Sequence, residues 1–248
     1  MPISVKCLAS GSTGNSYAVD DGESVLLLEA GIRTKKILDG YFDLLPRVAG
    51  CLITHGHNDH ARSAPDLSAR GIDIYATAGT FLEISERNEK PVRSYRAHTI
   101  TAGKPFRLAS WMVTPLKAQH DAYEPVCFLF HSLAADENLF FVTDSFYVRY
   151  KFETRAGKKI PLNVIMVECN YSHELICRSV SEGRIPESMK RRIEQAHFSL
   201  ENVEDFLRTN DMNTIRRIYL IHISRNNGDP AQFKNEIQRL TGVPVTVF

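Results

Sequence analysis

The chain has 248 residues, 43% of them hydrophobic and 24% charged, and its 30 basic and 29 acidic side chains leave a formal charge of +1. That is ordinary for a soluble globular protein with a sizeable core; it excludes a molecule that gathers polyanions by overall charge, so any nucleic-acid contact must come from local patches. Five cysteines, at 7, 51, 127, 169 and 177, form neither a zinc-finger spacing nor a disulfide framework, which points to a reducing compartment. No leader-like segment opens the chain, and no apolar run approaches the roughly 20 residues of a membrane helix. A soluble, cytoplasmic protein with no membrane partner is therefore expected.

Residues 3–8 read as a strand. A Gly- and Ser-rich loop over residues 10–16 follows, and residues 16–19 and 24–28 read as two strands joined by the Asp20-Asp21-Gly22 turn. The loop can present backbone amides and hydroxyls to an anionic substrate. Residues 33–45 carry apolar side chains at 37, 38, 42 and 45, a helical spacing. Residues 48–53 form an apolar run that reads as a buried strand, and directly after it come His55, Gly56, His57, Asp59 and His60. Side chains alternate along an extended chain, so His55 and His57 point the same way. Gly56 gives the backbone freedom to turn between them. Imidazole and carboxylate at this density suit zinc, manganese or iron, and four such ligands exceed what one closed tetrahedral site can share with ligands from elsewhere.

The segment His55-x-His57-x-Asp59-His60 resembles the metal motif of the metallo-β-lactamase fold. Within that superfamily the chain resembles the YycJ (WalJ) type, compact relatives of RNase Z and RNase J. The opening Leu8-Ala9-Ser10-Gly11-Ser12-Thr13-Gly14-Asn15-Ser16 carries that resemblance, as does His222-Ile223-Ser224-Arg225-Asn226-Asn227. Family members carry Asp after the third strand, and this chain has the longer Glu29. The resemblance implies an α/β fold, an αββα sandwich of two mixed β-sheets flanked by helices, as one domain over residues 1–248.

Further along, residues 64–69 fit a helix, residues 72–76 a strand, and residues 80–88 a helix capped by Thr80 with Glu83 three residues on. Residues 106–108 and 111–116 read as strands that deliver His120. Residues 126–130 and 138–142 read as strands too, the second leading to Asp144. His120 and Asp144 thus share with His55 a place just past an apolar strand, where loops gather ligands. The segment from Arg149 to Lys159 holds Arg149, Lys151, Arg155, Lys158 and Lys159 with Tyr150 and Phe152 interleaved. It can hold phosphates and stack a base. Only residues 145–167 separate Asp144 from Glu168, which leaves no room for the β-CASP domain that RNase J-type enzymes insert. Residues 162–168 read as a strand ending at Glu168. Ser199 is placed to cap a helix over residues 200–209, just after His197. Residues 218–222 form the last apolar run. Asp229 as cap and Pro230 at the first helical position start a final helix with Phe233, Ile237 and Leu240 on one face.

By resemblance, His55, His57 and His120 hold one divalent ion, Asp59, His60 and His222 a second, and Asp144 bridges them. Zinc or manganese fits this donor set. A hydroxide between the ions is the implied nucleophile. Glu168 and His197 match the pair that assists proton transfer in RNase Z-like enzymes, which makes Asp59, Glu168 and His197 the expected catalytic residues. Ser10, Ser12, Asn15, Ser224, Asn226, Lys158 and Lys159 are the expected substrate contacts. The expected activity is phosphodiester hydrolysis, as a nuclease of the 5′ exonuclease type on DNA or RNA. A cyclic-nucleotide phosphodiesterase like the phage anti-Pycsar enzymes is the alternative, and a non-catalytic binding protein on the same fold is a third reading. The partners implied are a nucleic acid or nucleotide substrate, with a homodimer left open.

Overall fold

A computed structural model of the chain describes residues 1–153 and 157–248. The chain divides into two compact units, Met1–Lys117 with Asp121–Glu137, and Ala118–His120 with Asn138–Phe248. The strands form two mixed β-sheets flanked by helices, the α/β architecture expected from the sequence.

The first unit holds a six-stranded sheet of β1 (Ser4–Ala9), β2 (Ser16–Asp20), β3 (Val25–Leu28), β4 (Val48–Leu52), β5 (Ile74–Thr77) and β6 (Ala97–Ile100), in that order. β1 to β3 run antiparallel and β3 to β6 parallel. Interior strands covered on both faces are apolar throughout rather than alternating; β3, VLLL, is apolar and buried at every position. Helices α1 (Thr34–Gly40), α2 (Asn58–Ala61), α3 (Ala64–Ala69) and α4 (Ala78–Arg87) belong to this unit. Leu27, Ile37, Tyr41, Cys51, Ile53, Leu67, Ile74 and Ile84 share one core cluster, each buried Leu or Ile contributing about 1.5–3 kcal/mol. The antiparallel strands β7 (Phe106–Leu108), β8 (Trp111–Lys117) and β9 (Val126–Ser132) complete the unit.

The second unit is built on parallel strands β10 (Glu137–Val142), β11 (Val164–Glu168), β12 (Arg217–Ile221) and β13 (Val245–Val247). Its helices are α5 (His173–Ser181), α6 (Glu187–Ala196), α7 (Leu200–Thr209) and α8 (Pro230–Thr241). The caps read from the sequence are in place: Ser199 Oγ accepts from Asn202 N at 3.1 Å, and Asp229 Oδ1 accepts from Ala231 N and Gln232 N at 3.0 Å.

Two helices differ from expectation. The helix expected over residues 33–45 stops at Gly40, and a 3-10 turn over Phe42–Arg47 follows. Tyr41 turns into the core there, and Pro46 has no N–H to extend an α-helical ladder. The helix expected to start at Thr80 starts two residues earlier: Thr77 Oγ1 accepts from Thr80 N at 3.1 Å, so Thr77 is the cap. β6, β13, α5 and α6 add to the expected elements.

Candidate metal and catalytic centre

In each unit, chemistry-bearing residues stand at or just past strand ends. Glu29 follows β3, the His55–His60 segment follows β4, Asp144 lies just past β10, Glu168 ends β11 and His222 follows β12. Glu29, Asp144 and His222 all have positive φ, at 65°, 45° and 54°. A residue with a Cβ is uncommon there, at a cost of about 1–2 kcal/mol, and such outliers cluster at functional sites.

In the first unit the three motif histidines pack together. The His55 ring centroid is 4.7 Å from that of His57 and 4.2 Å from that of His60. His55 Nδ1 lies 2.9 Å from Thr54 Oγ1, and His57 Nε2 lies 3.5 Å from Glu83 Oε1. His60 Nε2 is 3.4 Å from Asp59 Oδ2, and its Nδ1 is 3.6 Å from Glu29 Oε2. Glu29 is fully buried and its Oε1 accepts from Thr54 N at 3.3 Å. The longer acid therefore reaches the histidine loop. Asn15 braces the same loop: its Oδ1 accepts from Gly11 N and Tyr17 OH, and its Nδ2 donates to Asp59 O and lies 3.1 Å from His60 Nε2. Gly31 is needed at this junction, because a Cβ on it would meet Asp59 O at 1.7 Å.

In the second unit, Asp144, Glu168, His197 and His222 each place one ligand-type atom within 4.8 Å of the others. Glu168 Oε1 lies 2.7 Å from His197 Nδ1 and 2.8 Å from His222 Nδ1. Glu168 Oε2 accepts from the backbone N–H groups of Ser145 and Phe198. Asp144 Oδ1 is 3.1 Å from His197 Nδ1 and 3.2 Å from His222 Nδ1. Asn170 Nδ2 donates to His222 O at 2.9 Å. His120 Nδ1 is 3.0 Å from Ala196 O. Burial alone would push the Glu168 carboxyl up, but the neighbouring His197 outweighs it and holds Glu168 below its ordinary range. Burial also works against charge on His197, and Glu168 and Asp144 outweigh it, holding the imidazole well above the usual histidine range. The pair is thus held as carboxylate and imidazolium.

These residues fit divalent metal ions by donor chemistry. Carbonyl and carboxylate oxygens only accept, so Nδ1 of His120 and of His222 carries a proton. Metal-binding histidines are held in this way, with one nitrogen tied to a protein acceptor and the other turned to the ion. The cysteines belong elsewhere: Cys51, Cys127 and Cys169 are buried, and burial pushes each thiol up, away from the thiolate a metal needs.

A family model described as the beta-lactamase superfamily domain matches residues 35–223. The chain belongs to the metallo-β-lactamase superfamily. Within it, the chain is 30% identical over 229 residues to exodeoxyribonuclease WalJ of Streptococcus pneumoniae, covering 89% of this chain and 81% of that one. It is 29% identical over 233 residues to exodeoxyribonuclease YycJ of Bacillus anthracis, covering 92% and 84%. Among solved structures, the metallo-β-lactamase fold protein YhfI from Bacillus subtilis aligns with a TM-score of 0.73 over 100% of this chain and 97% of that chain, at 14% identity. The short form of human tRNase Z aligns at 0.63 over 98% and 95%, also at 14% identity. Superfamily membership together with the identity to the WalJ and YycJ enzymes makes the chain a metal-dependent hydrolase.

The remaining sequence-predicted residues of this metallo-β-lactamase chain are placed as follows. Ser12, Asn226 and Lys158 are exposed. Ser10 Oγ lies 2.8 Å from Tyr17 OH, and Ser224 Oγ accepts from Asn227 N at 3.3 Å. Lys159 Nζ is 3.5 Å from Asp211. Phe152, offered above as a stacking surface, is instead buried, edge-on to Phe140 at 4.7 Å. Arg155 lies outside the described residues. Two contributors, Thr54 and Asn170, have no motif in the sequence; Glu83 entered it only as the capping partner of Thr80, whereas it lies in the middle of α4 and accepts from Gly56 N.

Proposed function

We propose that the chain is a nuclease of the 5′ exonuclease type, hydrolysing phosphodiester bonds of DNA or RNA with two divalent ions, zinc or manganese. The observation that carries this reading is the 30% identity over 229 residues to an exodeoxyribonuclease. By the family's pattern the ligands are His55, His57, Asp59, His60, His120, Asp144 and His222, within a single domain spanning residues 1–248. When bound, such ions activate water at neutral pH and stabilise charge on a transferring phosphoryl group. Asp59 accepts a hydrogen bond from the attacking water. Glu168 anchors His197 through Nδ1 at 2.7 Å, so the proton on Nε2 is the one delivered to the leaving oxygen. Ser10, Ser12, Ser224, Asn226, Lys158 and Lys159 contact substrate phosphates in this reading, while Asn15 acts by holding the Asp59 backbone. No helix among the described residues is long and apolar enough to cross a membrane, and we place the enzyme in the cytoplasm.

The test is purified protein with manganese or zinc against labelled single- and double-stranded DNA, RNA and a panel of cyclic nucleotides. Release of mononucleotides from polymer, starting at the 5′ end, is the expected result. Hydrolysis of cyclic nucleotides alone would replace the nuclease with a cyclic-nucleotide phosphodiesterase.

A further inference from the structure

We propose that Glu83, on α4, is the residue that positions His57 as a metal ligand. The inference rests on the reading of His57 as a ligand given above. Glu83 is only 3% exposed. A carboxylate is costly to bury unless its oxygens are satisfied. Here they are divided between two jobs: Oε2 accepts from Gly56 N at 3.2 Å, while Oε1 lies 3.5 Å from His57 Nε2 and accepts from Arg87 at 2.9 Å.

Helix formation does not account for this arrangement. Thr77 already caps α4, and Glu83 sits in its middle. The helix turns its carboxylate inward while the adjacent Leu82 is 53% exposed, the reverse of what burial of apolar surface would select. The histidine loop is shaped to receive the acid. Gly56 does not have positive φ, so the freedom to turn expected of it is not its main use. A Cβ on Gly56 would instead meet Glu83 Cβ at 2.6 Å and Oε2 at 2.7 Å. Glycine stands between the two histidines because the carboxylate occupies the space a side chain would need.

The chemical consequence concerns His57 alone. A carboxylate beside Nε2 favours the proton there and leaves the lone pair on Nδ1, with raised basicity. Arg87, 42% exposed at its side chain, supplies the counter-charge.

The experiment compares zinc affinity, by chelator competition, in wild type, Glu83→Gln and Ile84→Val. An amide has one acceptor where the carboxylate has two, so it cannot serve both the Gly56 N–H and the His57 side. Glu83→Gln is expected to weaken zinc binding by about 10–100-fold. Ile84→Val, a core change on the same helix, should keep wild-type affinity. Wild-type affinity in Glu83→Gln, or an equal loss in both variants, overturns the proposal. The imidazole nitrogen NMR of zinc-loaded wild type gives a second reading that does not depend on any variant folding. A His57 proton on Nε2 supports the role of Glu83, and one on Nδ1 overturns it. A wild type that takes up no zinc overturns the metal reading itself, and this inference with it.

Discussion

One oxygen of Glu168 serves two imidazoles, at 2.7 Å from His197 and 2.8 Å from His222. The two histidines should nevertheless respond differently to loss, because only His197 is assigned to proton delivery. His197→Ala is expected to keep its metals and lower turnover by about 10²–10⁴-fold. The loss should shrink on a nitrophenyl ester, whose leaving group needs no proton; an equal loss on both substrates would make His197 a positioning residue. Asp144→Ala should lose at least one ion and nearly all hydrolysis while the chain still folds, since the core around it is apolar. Metal analysis beside a thermal unfolding curve checks this, and two bound ions with full activity would remove Asp144 from the ligand set. At this scale the histidine motif was legible because metal chemistry concentrates its donors at one strand end. The roles of Glu83 and Asn170 were not, because what matters about them is a contact, at 3.5 and 2.9 Å, with residues 26 and 52 positions away in sequence.

Elements were legible where a run of one periodicity was long enough. The apolar runs at β3, β4, β11 and β12 declare buried strands. β13 has three residues, too few for a period to show. α6, ESMKRRIEQA, carries only a narrow apolar stripe, Met189, Ile193 and Ala196, among charged residues, and that face went unread. Phe152 stands among basic residues in sequence yet faces Phe140 and Phe206; adjacency to charge does not say which way a ring points. Two predictions belong to this scale. Ser199→Ala removes the α7 cap and should cost about 1 kcal/mol in denaturant titration. Asp20, at the end of β2, accepts from Arg47 at 2.6 and 2.7 Å. The hydrogen bond from Arg47 outweighs burial and holds the Asp20 carboxyl below its usual range. A depressed carboxylate stabilises above its unfolded value near 4 and loses that contribution as pH falls through its folded value. Asp20→Asn should therefore be less stable by about 1 kcal/mol at pH 7, with the difference closing below about pH 4. A difference that persists unchanged at pH 3 would show that the charge is not the cause.

Across the whole molecule, a formal charge of +1 means that a polymer substrate has to be held by local groups. Neutralising Lys158 and Lys159 together should weaken the nuclease and flatten its salt dependence, by roughly one unit of log–log slope for each phosphate that is no longer paired with a cation. Cyclic-nucleotide hydrolysis should be left almost untouched. Wild-type activity and slope in that double variant would make the segment a solvated surface, with Lys159 serving its Asp211 pair. The central claim is that histidine and carboxylate ligands load metal, and that metal drives phosphodiester cleavage. It is tested most directly by measuring metal content and DNA and RNA hydrolysis on the same wild-type preparation, before chelation, after it, and during stepwise return of zinc or manganese. Hydrolysis should vanish with the metal and return in proportion to the ions taken up, saturating at two per chain. Cleavage that survives complete removal of metal, or a chain that binds no ion, would contradict the account.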